Sequence, residues 1–184
     1  MYSYSGRILH IDVTTQETRV ERVGPEFLKK YVGGVCLATR LALDNIPKGC
    51  DPLEPENALC FACSAFGGTI VPVGDKYAVA GKSPLTGFLN DSLGTSYFAA
   101  AIRQAGYDGI VIKGKADKRI YIFISDDVVE FRDASHLWGM ETWDTEEAIR
   151  EEIGDETVRC CVVGPAGENL VRFANLTNDR GRQA

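Results

Sequence analysis

Residues 6–23 read GRILHIDVTTQETRVERV, and the spacing of their apolar side chains sets the fold class. Residues 6–12 alternate apolar and polar, the two-residue period of a half-buried strand. Thr14, Thr15 and Gln16 make a polar turn, and residues 18–23 alternate again, so the stretch predicts an opening β-hairpin. Working outward, Pro25 suits the first position of a short helix that ends near Gly33 and Gly34. A second helix is predicted over 35–45, stopped by Pro47. Residues 47–57 form a Pro-rich charged loop, and the continuous apolar run 59–65 predicts a buried strand. A Gly-rich loop over 66–75, a short strand over 77–80 and a turn cluster over 83–87 follow. Residues 95–105 predict a helix with Gly106 as its stop, and 109–113 a strand. Residues 119–125 and 128–132 predict a tight hairpin across Asp126 and Asp127. Residues 142–153 predict an amphipathic helix, with Thr145 as its cap and Gly154 its stop. The strand 158–163, the loop 164–169 and the strand 170–176 complete the pass. About nine strands and four helices, several strands joined by short hairpins, make the class α+β with mostly antiparallel β-sheets.

Composition narrows the function classes. A chain of 184 residues can bury enough surface to fold without a metal or disulfide, and its apolar and charged fractions, 45% and 25%, are those of a globular protein rather than a disordered one. A formal charge of −6 argues against nucleic acid as a partner but leaves room for a local phosphate site. No run approaches the roughly 20 apolar residues of a membrane span, and the polar opening residues do not read as a secretory signal. Six cysteines without such a signal read as thiols of a cytoplasmic protein.

The candidate chemistry is sparse. Cys60 and Cys63 form a C-x-x-C, but residues three apart in a strand point to opposite faces, so both read as core thiols. Neighbours Cys160 and Cys161 face opposite ways for the same reason. His10 and His136 have no nucleophile motif beside them, so no triad is predicted. Glu146 and Arg150 have the spacing of a helical i,i+4 pair, expected on an exposed face. More informative are the loops at 67–76, 94–95 and 164–169, whose backbone N–H groups can cradle phosphate, with Lys76, Lys82, Arg180 and Arg182 nearby. Gly94 and Thr95 open a helix, whose N-terminus favours an anion. No Walker-type or dinucleotide glycine pattern is present.

The order of longer motifs adds a resemblance. GRILHIDVTT (6–15), YVGG (31–34), DPLEPEN (51–57), KSPLTGF (82–88), AGYDGIVIKGKA (105–116), ISDDVVEFRDASHLWG (124–139) and GPAGENLVRFANLTND (164–179) follow one another. Together they resemble the N-terminal domain of the tungsten-containing aldehyde ferredoxin oxidoreductases, over residues 4–182. The resemblance implies a single domain, 1–184, that forms the β-sheet base under a tungsten (or molybdenum) bis-pterin. It implies an enzyme that oxidises aldehydes to carboxylic acids and passes electrons through a [4Fe–4S] cluster to ferredoxin, with the cluster ligands, substrate channel and catalytic residues in later domains. It therefore assigns no catalytic residue to this chain. Lys76 stands where the family has an Arg that contacts the pterin phosphate; Lys keeps the charge without the planar fork. Leu93, Gly94 and Thr95 stand in the family's Asn-Ser-Gly stretch, with Thr95 in place of its Gly. Arg182 matches the family's Arg, and the backbone carbonyls of Leu93 and Gln183 fall where a magnesium ion bridging the two pterins is held. The chain stops at NDRGRQA without closing an element, so it reads as a truncated piece of a longer protein whose remaining domains are its first partners. The resemblance also implies a homo-oligomer. A related benzoyl-CoA reductase active-site subunit and a non-catalytic scaffold domain are the alternatives.

Overall fold

The computed structural model describes residues 3–184. At its centre is a six-stranded sheet built from β1 (Arg7–Asp12), β2 (Glu17–Arg22), β3 (Ala58–Cys63), β4 (Lys76–Lys82), β5 (Leu89–Thr95) and β6 (Gly109–Lys113). Their spatial order is β2-β1-β6-β3-β4-β5. Each neighbouring pair is antiparallel except β1 and β6, which run parallel.

The inner strands β1, β6, β3 and β4 are covered on both faces, and the two-residue period sorts their side chains between them, while the edge strands β2 and β5 are largely exposed. One face carries Ile8, Ala58, Cys60, Ala62, Ala78, Ala80 and Val111, against which α2 (Gly34–Asn45) packs Leu37, Ala38, Leu41 and Ala42. The small side chains of β3 and β4 let this helix approach closely; α1 (Pro25–Tyr31) adds Phe27 and Tyr31 at its margin. The other face carries larger groups: Leu9, Ile11, Phe61, Tyr77, Val79 and Ile110. There α3 (Tyr97–Gln104) contributes Ala99 and Ile102. The hairpin of β7 (Ile120–Ser125) and β8 (Val128–Asp133) contributes Ile122, Ile124, Val129 and Phe131.

A third cluster joins Ala134, Leu137, Ile149, Cys160 and Val162. It lies between α4 (Thr142–Ile153) and a three-stranded sheet ordered β11-β10-β9, made of β11 (Arg182–Gln183), β10 (Thr177–Asn178) and β9 (Cys161–Val162). Helix α5 (Pro165–Glu168) links β9 to the segment leading to β10.

The opening hairpin, the two helices after it, the hairpin over 119–132 and the helix 142–153 form as the sequence predicts. Four readings are corrected. Residues 170–176 form no strand: Leu170 and Phe173 are exposed, and the chain turns there through an Ala174 N–H to Val171 C=O bond. The strand expected over 158–163 is reduced to two residues. Thr145 lies inside α4 rather than capping it, and its hydroxyl donates to the Glu141 carbonyl. The Glu146–Arg150 pair forms, at 2.8 Å, but is buried, because the Arg180 N–H and the Val158 carbonyl close over it. Arg182 and Gln183 pair with Asn178 and Thr177 as β11.

Candidate cofactor-binding site

The site assembles where three strand ends meet. Lys76 begins β4 and Thr95 ends β5, and the register makes them cross-strand partners. One step inward, Tyr77 pairs with Gly94 on the opposite face, and a further step pairs Ala78 with Leu93. Arg182, from β11, reaches across and donates from Nη1 to the Thr95 carbonyl at 3.1 Å. Lys76, Thr95 and Arg182, 106 positions apart in sequence at the extremes, thus share one corner of the molecule.

The alternation of peptide groups determines which carbonyls are free. Strand residues turn both their N–H and C=O to one side, and successive residues alternate. The Ser64 N–H donates to the Lys76 carbonyl, so Lys76 and Ala78 turn their peptide groups toward β3. Their cross-strand partners Thr95 and Leu93 then turn theirs off the unpaired edge of β5. The same rule applies to β11. Leu176 and Ala184 exchange both backbone hydrogen bonds, so Arg182 faces β10 and Gln183, between them, turns its carbonyl off the free edge of β11. β11 lies near β5, and Arg182 bridges the two strands through the Thr95 carbonyl.

Buried neighbours hold this corner. Gly94 is required by packing: a Cβ there would sit 2.4 Å from the ring of Tyr77. That ring is completely buried, stacked at 6.1 Å on Phe61 and edge-on to Phe98 at 5.4 Å, and burial pushes its hydroxyl far above the usual tyrosine range. Ser96 caps α3 by accepting the Phe98 N–H, while Asp179 accepts from the same N–H. The Gly-rich loop before Lys76 is fastened from below. Arg103 donates to the Ser64 carbonyl and forms a buried ion pair with Asp108, while Asp75 accepts the Gly68 N–H at 2.7 Å. Asp108 in turn accepts the backbone N–H groups of Ser5 and Gly6.

The chemistry of this corner fits an anionic group held with a divalent cation. Neither Lys76 nor Arg182 has an ion-pair partner among the described residues, so two cations are unneutralised. The backbone carbonyls of Leu93 and Gln183, hard oxygen ligands of the kind magnesium prefers, turn off the unpaired edges of β5 and β11. By contrast Lys82 donates to the Cys50 carbonyl and Arg180 pairs with Glu147, which ties both into local structure.

Cys60, Cys63, Cys160 and Cys161 pack in the apolar clusters, and each histidine has a carboxylate partner. Cys60 and Cys63 lie on opposite faces of the central sheet, and burial pushes both thiols up to about 12. Cys160 and Cys161 also divide between two clusters. His10 lies 2.8 Å from Glu21, and burial lowers its pKa. His136 pairs with Glu152 at 3.1 Å.

Sequence reasoning missed β5 itself, which carries half of the corner, and the support from Tyr77 and Ser96. Asn90, Asp91 and Gly94 disguise the strand, but the turn cluster at 83–87 after a strand was a signal that the chain must return as a hairpin.

Comparison with known proteins decides the family. Residues 8–184 match the family described as "Aldehyde ferredoxin oxidoreductase, N-terminal domain". The chain belongs to this family. It is 45% identical over its full length to the tungsten-containing aldehyde ferredoxin oxidoreductases of Pyrococcus furiosus and Thermococcus kodakarensis, and spans 30% of each. It is 32% identical over 96% of its length to the aliphatic sulfonate oxidoreductase, WOR-like subunit, of Pyrococcus furiosus. Among solved structures, the active site complex BamBC of benzoyl coenzyme A reductase, in complex with 1,5-dienoyl-CoA, superposes with a TM-score of 0.94. The match, at 31% identity, covers 98% of this chain and 28% of that one. The mixed α+β fold is therefore that of the aldehyde ferredoxin oxidoreductase N-terminal domain, and the relatives are oxidoreductases of which this chain corresponds to the N-terminal domain. Among the described residues no helix is long and apolar enough to cross a membrane.

Proposed function

We propose that residues 1–184 form the cofactor-cradling N-terminal domain of a cytoplasmic, tungsten-dependent aldehyde ferredoxin oxidoreductase. The observation that supports this reading is that Lys76, paired across the strands with Thr95, and Arg182, bonded to the Thr95 carbonyl, share one corner without ion-pair partners among the described residues. Lys76 and Arg182 hold the phosphates of the bis-pterin; Leu93 and Gln183 offer carbonyls to magnesium; Gly94 and Thr95 form the floor at the end of β5. When bound, the tungsten bis-pterin supplies the two-electron chemistry that converts an aldehyde to a carboxylic acid. This chain's part is to bind and orient. The two cations neutralise phosphate charge, and the rigid strand ends fix its position, with more precision than loop-borne groups provide. Lys76 serves as a point charge, so its contact is less directional than the forked one an Arg makes.

The chain corresponds to under a third of its relatives. Substrate entry, the [4Fe–4S] cluster and the ferredoxin contact are accordingly assigned to the remaining domains of a longer protein, which assembles as a homo-oligomer. The close superposition on a benzoyl coenzyme A reductase complex supports a second reading, an active-site subunit of that branch with a thioester substrate. The test is anaerobic purification of the full-length protein from tungstate-grown cells, followed by aldehyde-dependent reduction of a viologen dye. Reduction with aldehydes supports the first reading. Reactivity restricted to an aryl-CoA couple supports the second. The isolated 184-residue chain is expected to reduce no dye.

A further inference from the structure

We propose that Asn178 is the positioning residue of this site: its side-chain amide holds the Arg182 strand against the strand ends that carry Lys76 and Thr95. The proposal rests on the cradle reading above. The Asn178 side chain is fully buried, and its Nδ2 donates to Tyr77 Oη at 2.9 Å and to Ser96 Oγ at 2.6 Å. Tyr77 follows Lys76, Ser96 follows Thr95, and Asn178 is the cross-strand partner of Arg182. The amide therefore touches the immediate neighbours of Lys76 and Thr95, and its residue faces Arg182 across the β10–β11 pair.

Both acceptors are fixed points. The Tyr77 ring is held between Phe61, Phe98 and Gly94, and Ser96 Oγ is committed to the first turn of α3. The β10–β11 hairpin they hold needs fixing, because each strand is only two residues long and the turn between them has Asp179, Arg180 and Gly181 at φ of 41°, 58° and 99°. Left-handed backbone at two non-glycine residues persists when its surroundings impose it. The amide also has a cost. Asn178 Oδ1 is buried without a partner, which a leucine of similar size would avoid. An apolar residue would serve packing alone better, so the amide's value lies in the two directed bonds.

The test uses the full chain and Asn178→Leu. The first readout is amide hydrogen exchange. The Ala184 N–H, which donates to the Leu176 carbonyl at 3.0 Å, is expected to exchange about tenfold faster, while Val79 in the centre of β4 keeps its protection. Unchanged exchange at Ala184 overturns the proposal. The second readout is calorimetric titration with inorganic pyrophosphate and Mg²⁺. Asn178→Leu and Arg182→Ala are each expected to weaken binding about tenfold, and the double variant to bind within about twofold of Arg182→Ala alone. A double variant weakened by the product of the two, about a hundredfold, makes Asn178 independent of Arg182 and overturns the proposal. If Asn178→Leu does not fold, Tyr77→Phe removes one acceptor. It is then expected to weaken binding about threefold only when Arg182 is present, and no loss counts against positioning. Absence of pyrophosphate binding by the unmodified protein contradicts the cradle reading, while the exchange readout still decides the role of Asn178.

Discussion

Replacing Gly94 with alanine is the sharpest probe of how the corner is built. The backbone of Gly94 is not in the left-handed region, so alanine is allowed there, and lower chain entropy in the unfolded state would favour it by roughly 0.5–1 kcal/mol. The opposing term is contact. The new methyl would lie 2.4 Å from Cε1 and Cζ of Tyr77, far inside van der Waals distance. The ring cannot retreat freely, because Phe61 and Phe98 pack against it and Asn178 holds its hydroxyl. Overpacking of this kind costs about 1–3 kcal/mol, and displacement of the Tyr77–Asn178 bond adds about 1 kcal/mol. The net expectation is a loss of about 1–3.5 kcal/mol, which at this chain length lowers Tm by roughly 2–14 °C. Urea unfolding followed by far-ultraviolet circular dichroism measures it. The decisive control is Tyr77→Leu. In that background the same Gly94→Ala change should cost less than about 1 kcal/mol, because its steric partner is gone. An unchanged or raised stability for Gly94→Ala in the unmodified chain would refute the packing account of β5.

Other consequences follow from the same geometry. Lys76→Ala should weaken pyrophosphate–Mg²⁺ binding about tenfold by calorimetry, whereas Lys76→Arg should strengthen it severalfold by adding a second directed bond. Arg103→Met should destabilise the chain by about 3–5 kcal/mol in urea titration, because it leaves the fully buried Asp108 without its cation. Cys60, Cys63 and Cys161, pushed up to about 12 by burial, should resist alkylation at pH 8 while exposed Cys36 is modified, as peptide mass mapping will show. These thiols stay protonated in the folded state while the unfolded chain ionises them above about 9. Their contribution is therefore intact below pH 9 and is lost as pH rises from about 9 to 12, which urea midpoints across that range will report.

Much of this was legible in the sequence, for identifiable reasons. The two-residue alternation of residues 6–23 located the opening hairpin and the apolar run near Leu59 located β3, but the expected half-burial did not hold: β1 is buried on both faces and β2 is exposed throughout. The same period placed Cys60 and Cys63 on opposite faces, as found. The reading failed where structure is imposed by neighbours. Strand β5 has polar residues along most of its length and is a strand because β4 pairs with it and the turn returns it. Leu170 and Phe173 looked like a strand interior because apolarity is local information, but their exposure is a property of the assembled surface. The Glu146–Arg150 pair had the right spacing, while its burial depended on Arg180 and Val158, distant in sequence. The charged and carbonyl groups of the candidate corner were named through a family resemblance. Their convergence depends on strand register, which residue types alone do not state.

The central claim is that this corner holds a tungsten bis-pterin. Its most direct test is the tungsten and pterin content of the full-length protein, purified anaerobically, compared with a Lys76→Ala/Arg182→Ala variant of matched circular dichroism. Tungsten by plasma mass spectrometry and pterin by fluorescence of its oxidation product should be near stoichiometric in the unmodified protein and at least about tenfold lower in the variant. Equal cofactor content in the two proteins, or tungsten absent from both, would contradict the account.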